Sequence, residues 1–401
     1  MTKREAYNQT YTILAYTEAP WDSDIRTNPQ HIMSRIAGFM SVLYIEPPIS
    51  IFAAIRRKGW LKKWFTGKRY FSPNLALFSP GVLFPRNSSN TFLFNMFTFL
   101  NEILIRLQLR LIAHRARKKY KLIHWIFYPT YTQVIPVNKS EVLIYHIVDR
   151  YYAIPCHKAK RTYLEHGDQQ LTKLSDIVFV TATELYNRKL GINQNIHYTG
   201  NAADISIFQD YLKKKHEVPE DIKHLSRPII GYAGVIDDHK IDSAVIKKIA
   251  RKMKWISIVF IGPIHADSQD LMEVGKEFEN VYFLGYKPYH EIPGYIDSFD
   301  VCLLPYRLNE YTECVFPLKL FEYFAMGKPV ISTQLASIKQ YQNMIDICST
   351  SEEFTECLKM HLSHPDSNHY AEKIRLASEN SWDKRVEQLW DIVRNHIDEK
   401  K

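Results

Sequence analysis

Short runs of β-branched and aromatic residues recur along this chain at intervals too long for hairpins, and segments of helical period separate them. The first runs are residues 11–16 and 42–45, with a helical stretch at 32–40 between them. Residues 123–127, 142–148 and 177–180 continue the series. A second series opens at 229–233 and proceeds through 256–261, 281–284, 301–304 and 330–331. Predominantly apolar runs joined by long crossovers suit strands buried on both faces, so each series predicts a doubly wound parallel sheet. At 401 residues the chain exceeds what one core normally organises. Two α/β domains are expected, at 1–208 and 226–381. Residues 209–226, rich in Lys, Asp and His around Pro219, read as the linker. From Trp382 onward, Val386, Leu389, Trp390, Val393 and Ile397 mark an amphipathic C-terminal helix over 382–401.

Composition narrows the class. A hydrophobic share of 46% against 24% charged residues is that of a globular protein with ample core material. The five cysteines (Cys156, Cys302, Cys314, Cys348, Cys357) are odd in number and lack ligand spacing, which predicts free thiols, a reducing compartment and no structural metal. Asn8, Asn87 and Asn138 sit in N-x-S/T patterns that count as chance, because no export signal is read at the N-terminus. The apolar stretch 92–113 is interrupted by Glu102, Arg106 and Arg110 at four-residue spacing. That predicts a polar stripe on a core-packed helix and no membrane span.

Charge is lopsided: residues 1–140 hold 20 Lys/Arg against 6 Asp/Glu, a net +14, and the remainder nets −5. A half so basic needs an anionic partner, whether a phospholipid surface, a lipid-linked diphosphate acceptor or nucleic acid. Residues 49–70 interleave Arg56, Arg57, Lys58, Lys62, Lys63, Lys68 and Arg69 with Phe52, Trp60, Leu61, Trp64 and Phe65, the mix an anionic membrane surface would bind. The same mix serves single-stranded nucleic acid. No RNA-binding or helix-turn-helix signature accompanies it, so no nucleic-acid partner is expected. A solvated helix facing a core is the third alternative.

The segment 316–333, FPLKLFEYFAMGKPVIST, carries the chemistry. Pro317 suits the first position of a helix. Phe321, Phe324 and Ala325 share one face, and Gly327 supplies a left-handed stop before a short buried strand at 330–333. Lys319 in the first turn opposes the helix dipole, at a cost of roughly 0.3–1 kcal/mol. A bound anion reverses that sign, since a helix start with a nearby lysine makes a phosphate site. Glu322 lies on the same face and can accept sugar hydroxyls. The alternative is a solvated Lys319–Glu322 surface pair.

This segment resembles the donor-binding signature of GT-B nucleotide-sugar glycosyltransferases, the glycosyltransferase family 4-like group (group 1). There a PLKLFEYLAMGKPV-type stretch follows a DV-x-L-x-P strand, and FDVCLLPY at 299–306 stands in that place. The family's second glutamate, eight residues ahead of Glu322, is here Cys314, with Glu313 beside it. Residues 195–208 resemble the family's exit strand, with Ala202 at the usual glycine. The resemblance implies a GT-B fold: two Rossmann-like domains facing across a cleft, with the C-terminal helix crossing back to the first. It assigns acceptor binding to the first domain and donor binding to the second.

Several residues follow as candidates. Gly231 and Gly234 close the first strand of the second domain, where glycine lets backbone approach a diphosphate, or simply makes a tight turn. By resemblance His239 and Lys240 lie where a cation follows this loop, and Tyr286 and Lys287 where a loop meets the nucleobase. With Pro317, Leu318, Lys319 and Glu322 they form the expected donor set. Asp149, directly after the strand at 142–148, is a candidate general base or a helix cap; the family's Y-x-x-x-D pattern supports the base. His146 reads as a core histidine. Trp21, Arg26 and His31 suit sugar stacking and phosphate contact on the acceptor side, or form a turn capped at Asn28-Pro29. Asp237-Asp238 lies off the DxD position, so neither a metal nor another cofactor is expected. The whole predicts a hexosyltransferase-type enzyme of cell-surface polysaccharide synthesis, cytoplasmic and peripheral on the inner face of the plasma membrane. It would move a sugar from a nucleoside-diphosphate-sugar to a hydroxyl of a glycan or lipid-linked acceptor. The alternatives are a GT-B nucleotide-sugar epimerase and a non-catalytic glycan- or membrane-binding protein.

Overall fold

A computed structural model describes residues 7, 9–23, 25–135, 137–214, 216–266, 268–364 and 369–400. Asn8 lies outside them, as does the side chain of Phe65. The chain forms two compact units, Met1–Thr199 with Val386–Lys401, and Gly200–Arg385.

The first unit is built on an eight-stranded sheet: β1 (Tyr11–Tyr16), β2 (Ser41–Ile45), β4 (Lys68–Ser72), β5 (Leu75–Phe78), β7 (Lys121–Ile126), β8 (Val142–Ile147), β9 (Ile177–Val180) and β10 (Ile196–Tyr198). Their order is β10-β9-β8-β7-β1-β2-β5-β4. All neighbours pair in parallel except β4 and β5. Strands β1 and β8 are buried along their whole length, as their mostly apolar sequences favour. A second, two-stranded parallel sheet pairs β3 (Ile49–Ser50) with β6 (Gly81–Val82). The amphipathic Trp382–Glu399 helix sets Trp390 edge-on to Tyr7 and Phe39, and the Tyr7 hydroxyl donates to Asp398 at 2.6 Å.

The Thr91–Arg117 helix corrects one expectation. It is core-packed only along Phe94, Asn101, Ile105, Leu109 and Ala113. The rest stands outside the core, and by length and composition alone the helix is long and apolar enough to cross a membrane. Its inner stripe is fastened by polar side chains: Asn101 bonds both backbone groups of Phe84 (3.1 and 3.0 Å), Gln108 both of Gly81 (3.0 and 2.8 Å), and Arg117 grips Glu141 at 2.7 and 2.9 Å.

The second unit carries a six-stranded, all-parallel sheet in the order β13-β12-β11-β14-β15-β16. Its strands are β11 (Ile229–Ala233), β12 (Ser257–Ile261), β13 (Val281–Phe283), β14 (Val301–Leu304), β15 (Val330–Thr333) and β16 (Asp346–Cys348). Residues 200–226 belong to this unit, so contacts change hands at Thr199/Gly200, ahead of the expected boundary at 208. The cause is apolar: Phe208 of the Ile205–Leu212 helix is fully buried with its ring edge-on to Tyr289. Within the expected linker, Ile222 is buried and Asp221 is held by Lys287 and Tyr295.

Candidate active site

In the second unit the chain order reverses between β11 and β14, the switch point where parallel sheets bind ligands beyond their carboxyl ends. To one side of that point the loops leaving β11, β12 and β13 meet backbone to backbone. Gly234 N–H donates to the Ile261 carbonyl at 2.7 Å, and Gly262 N–H to that of Gly285 at 2.8 Å. Gly262 has φ +136, and a Cβ on it would stand 2.0 Å from the Gly234 oxygen, so only glycine fits. Sequence reading missed Gly262, whose signal is its place directly after the apolar run of β12. Gly231 is corrected: it lies within β11, where a Cβ would meet the Phe299 ring at 2.2 Å. Its smallness admits an aromatic ring, not a diphosphate.

The helix predicted from Pro317 spans Lys319–Ala325 and stops at Gly327 in the left-handed region, φ +65. Pro317 is buried and Leu318 takes the N-cap position with no side-chain cap. Among the described residues no acceptor engages the N–H of Leu318 or Lys319. Tyr323, one turn on, accepts from the Ala233 N–H at 3.0 Å and so ties this helix to the end of β11. The stem of Lys319 lies across Gly234, its Cε 2.6 Å from where a Cβ would be, and no ion pair engages its ammonium among the described residues. Glu322 is 6% exposed and accepts from the Tyr289 hydroxyl at 3.1 Å. A solvated Lys319–Glu322 pair is therefore excluded: one partner is buried and hydrogen-bonded elsewhere, and the other faces the glycine loop. Cys314 is buried where the family has glutamate, and Glu313 beside it is exposed.

Polar side chains hold the flanking loops. Asn309 accepts from the N–H groups of Tyr311 and Thr312 (both 2.9 Å) and donates to the His239 carbonyl at 2.8 Å. His239 N–H in turn bonds Asp237 at 2.8 Å, and the Lys240 ammonium lies 5.6 Å from the centre of the Tyr311 ring. Asp238 accepts from Asp270 and Leu271 N–H (2.7 and 3.1 Å), capping the Gln269–Glu277 helix. Among the described residues no cluster of three His, Cys, Asp or Glu side chains is placed to hold a metal. Tyr286 is exposed beside Gly285. Lys287 is corrected as a base-contacting residue: Asp221 takes it at 2.5 Å and raises its pKa, and it serves to pin the 219–222 turn.

In the first unit Asp149 follows β8 at the carboxyl end of the sheet, its carbonyl accepting from Tyr151 N–H at 3.0 Å. The next 3-10 turn, Tyr151–Ala153, begins after Arg150 and has no side-chain cap, so the capping alternative is not realised there. Trp21 is corrected. It is 5% exposed, with Tyr44 and Phe71 edge-on at 5.0 and 5.2 Å, and offers no free face for a sugar. Arg26 is exposed and lies 6.0 Å from the Trp21 ring centre. His31 is buried in the Asn28–Ile36 helix, whose cap is Thr27, one residue earlier than expected; Gln30 reaches back to the Thr27 N–H at 2.7 Å.

Beyond β1 and β7, where the first sheet reverses, lies a cavity of about 190 Å³ that sequence reading did not find. Arg86 grips Glu18 through both nitrogens, Thr130 donates to Glu18 at 3.0 Å, and Tyr163 donates to Glu102 at 2.7 Å. Burial raises the Glu102 carboxyl, against the Tyr163 bond that lowers it. The available signal was Glu18, two residues past an apolar strand.

Residues 227–364 match the family described as glycosyl transferases group 1. A putative teichuronic acid biosynthesis glycosyltransferase of Bacillus subtilis (strain 168) is 24% identical over 188 residues, which is 46% of this chain and 46% of that protein. The match thus spans under half of this curated relative. Among solved structures, sucrose-phosphate synthase from Thermosynechococcus elongatus superposes with a TM-score of 0.68 at 14% identity, over 96% of this chain and 98% of that one. Anabaena Alr3699/HepE, in complex with UDP and glucose, gives 0.65 at 12% identity, over 96% and 99%. At such identities these likenesses speak to the fold, which is GT-B.

Proposed function

We propose that this GT-B protein belongs to the group 1 glycosyl transferases and moves a sugar from a nucleoside-diphosphate-sugar to a hydroxyl of a glycan or lipid-linked acceptor in cell-surface polysaccharide synthesis. The observation that carries this reading is the convergence of Lys319, its unbonded helix start and the glycine edge at Gly234, with buried Glu322 beside them. The second unit takes the role of donor domain and the first that of acceptor domain.

The departing diphosphate meets the Leu318 and Lys319 N–H groups and the Lys319 ammonium, charges that favour the transition state because they already point at the developing anion. Glu322, held by Tyr289, accepts hydroxyls of the donor sugar or ribose. Asp149 takes the proton of the acceptor hydroxyl, whose oxygen bonds the anomeric carbon as the bond to phosphate breaks toward the diphosphate. No step calls for a metal. His239, Lys240 and Tyr286 line the loops nearest this edge and contribute to donor binding, while Arg26 remains the accessible acceptor-side cation. The neighbour solved with UDP and glucose supports a nucleotide-sugar donor.

The protein is proposed to act at the inner face of the plasma membrane from the cytoplasm, through residues 49–70. There the Ile51–Arg56 and Trp60–Thr66 helices expose Phe52, Ile55 and Leu61 among Arg56, Lys58 and Lys62. Trp64 is less available, since its indole donates to the Val82 carbonyl at 3.2 Å, and Lys63 and Arg69 each lie 3.2 Å from buried Glu46. Incubation with UDP-, GDP- and dTDP-sugars plus a membrane extract tests the transfer, read by phosphorus NMR. Free nucleoside diphosphate with label in the glycan is expected; a nucleotide-sugar altered only in its sugar would favour the epimerase.

A further inference from the structure

We propose that the outer face of the Thr91–Arg117 helix is a membrane-docking surface, lying in the plane of an anionic bilayer with Phe99, Ile103, Leu107 and Leu111 dipping into its acyl boundary. These four recur every fourth residue, opposite the buried row from Asn101 to Ala113, and they are 63, 41, 54 and 61% exposed. A continuous apolar stripe of this size on the surface marks a contact that is missing from the isolated chain.

Charge identifies the occupant. Between Glu46 and Glu141 the chain holds 16 Lys and Arg and a single acidic residue, Glu102. That one carboxylate is turned inward, bonded by Tyr163 at the cavity wall. Arg110 and Arg115 are exposed along the same helix and Lys118 just past its end. A second copy of the chain would bring two such basic faces together and be repelled, whereas anionic headgroups are attracted by every exposed cation. Nucleic acid would want aromatic platforms for its bases, but Ile103, Leu107 and Leu111 are aliphatic and suit acyl chains.

The helix lies on the bilayer and does not cross it. Its inner row is fixed to its own unit through the Asn101–Phe84, Gln108–Gly81 and Arg117–Glu141 bonds, and a spanning helix cannot keep one side in a protein core and three charged residues on its flank. The surface is continuous with residues 49–70: β6, bonded by Gln108, pairs with β3, and Trp64 donates to Val82 in β6. From its inner side the same helix contributes Asn101 and Ile105 to the wall of the cavity beyond β1 and β7. Membrane docking would thus place that cavity beside the bilayer, where a lipid-linked acceptor is anchored. Docking itself does not depend on the transfer reading.

Co-sedimentation with phosphatidylcholine vesicles carrying about a third phosphatidylglycerol, in the absence of any nucleotide-sugar, tests the surface. The parent chain is expected to pellet with these vesicles and to partition at least about tenfold less onto phosphatidylcholine alone. Leu107→Glu with Leu111→Glu should lower partitioning on the order of 100-fold with an unchanged thermal midpoint, and Leu107→Phe with Leu111→Phe should retain it. A parent chain that stays in the supernatant, or glutamate variants that bind as the parent does, would overturn the proposal. So would self-association by sedimentation velocity that the same variants abolish without any vesicle binding.

Discussion

A cation at the first position of a helix is unfavourable by roughly 0.3–1 kcal/mol, and among the described residues no carboxylate offsets it at Lys319. Replacing it therefore should not harm the fold. We expect Lys319→Ala to lower turnover on the order of 100-fold while the thermal midpoint holds or rises slightly, because a charge aimed at the leaving group is lost and no native bond is. Unaltered turnover in steady-state assays would remove the phosphate role. Trp21 behaves oppositely. With its ring packed against Tyr44 and Phe71, Trp21→Ala should cost about 3–5 kcal/mol in urea unfolding, and any activity loss should track the folded fraction. Lys319 and Glu322 were legible in the sequence because their spacing and neighbours are local. Tyr289 was not, since nothing near it in the chain signals a partner 33 residues away.

At the scale of elements, the end of the Thr91–Arg117 helix is joined to β7 and to the turn before β8 through Arg117, His124 and Glu141. Burial lowers the pKa of His124 from its ordinary 6.5, against the Glu141 contact that raises it. Burial alone would raise Glu141, but hydrogen bonds from Arg117 and His124 prevail and hold it at about 2. Both folded pKa values are depressed, so both groups contribute stability that is present above their unfolded values. It is lost as pH falls below 6.5 for the histidine and from 4.5 toward 2 for the glutamate. Thermal melts from pH 7 to 3 should fall in that order, and Glu141→Gln should be less stable at neutral pH yet flatter below pH 4.5. A variant retaining the parent's full acid dependence would count against the network. The strands were readable because apolar runs buried on both faces have no competing period. The outer face of the helix was not, because four-residue spacing of Glu102, Arg106 and Arg110 marks a polar flank without saying whether the apolar residues beside it meet protein or solvent.

For the whole molecule, two compact units with separate cores predict two cooperative unfolding steps. Trp390 joins Tyr7 and Phe39 in the first unit, so Trp390→Ala should lower one calorimetric transition and leave nucleotide binding by the second unit unchanged. A single transition shifted as a block would contradict that division. The alternation of strand and helix made the architecture legible. The boundary near residue 200 was less so, because Phe208 closes an apolar run that either core could take, Ile222 stands alone in polar sequence, and only their burial shows which core they serve. Sugar transfer by this protein requires a diphosphate to rest on the start of the Lys319–Ala325 helix. A crystal soaked with UDP, GDP and dTDP in turn tests it most directly. Phosphate oxygens are expected within hydrogen-bond distance of the Leu318 and Lys319 N–H groups and the Lys319 ammonium. A nucleotide bound with its phosphates elsewhere, or that helix start closed by the protein's own side chains, would contradict it.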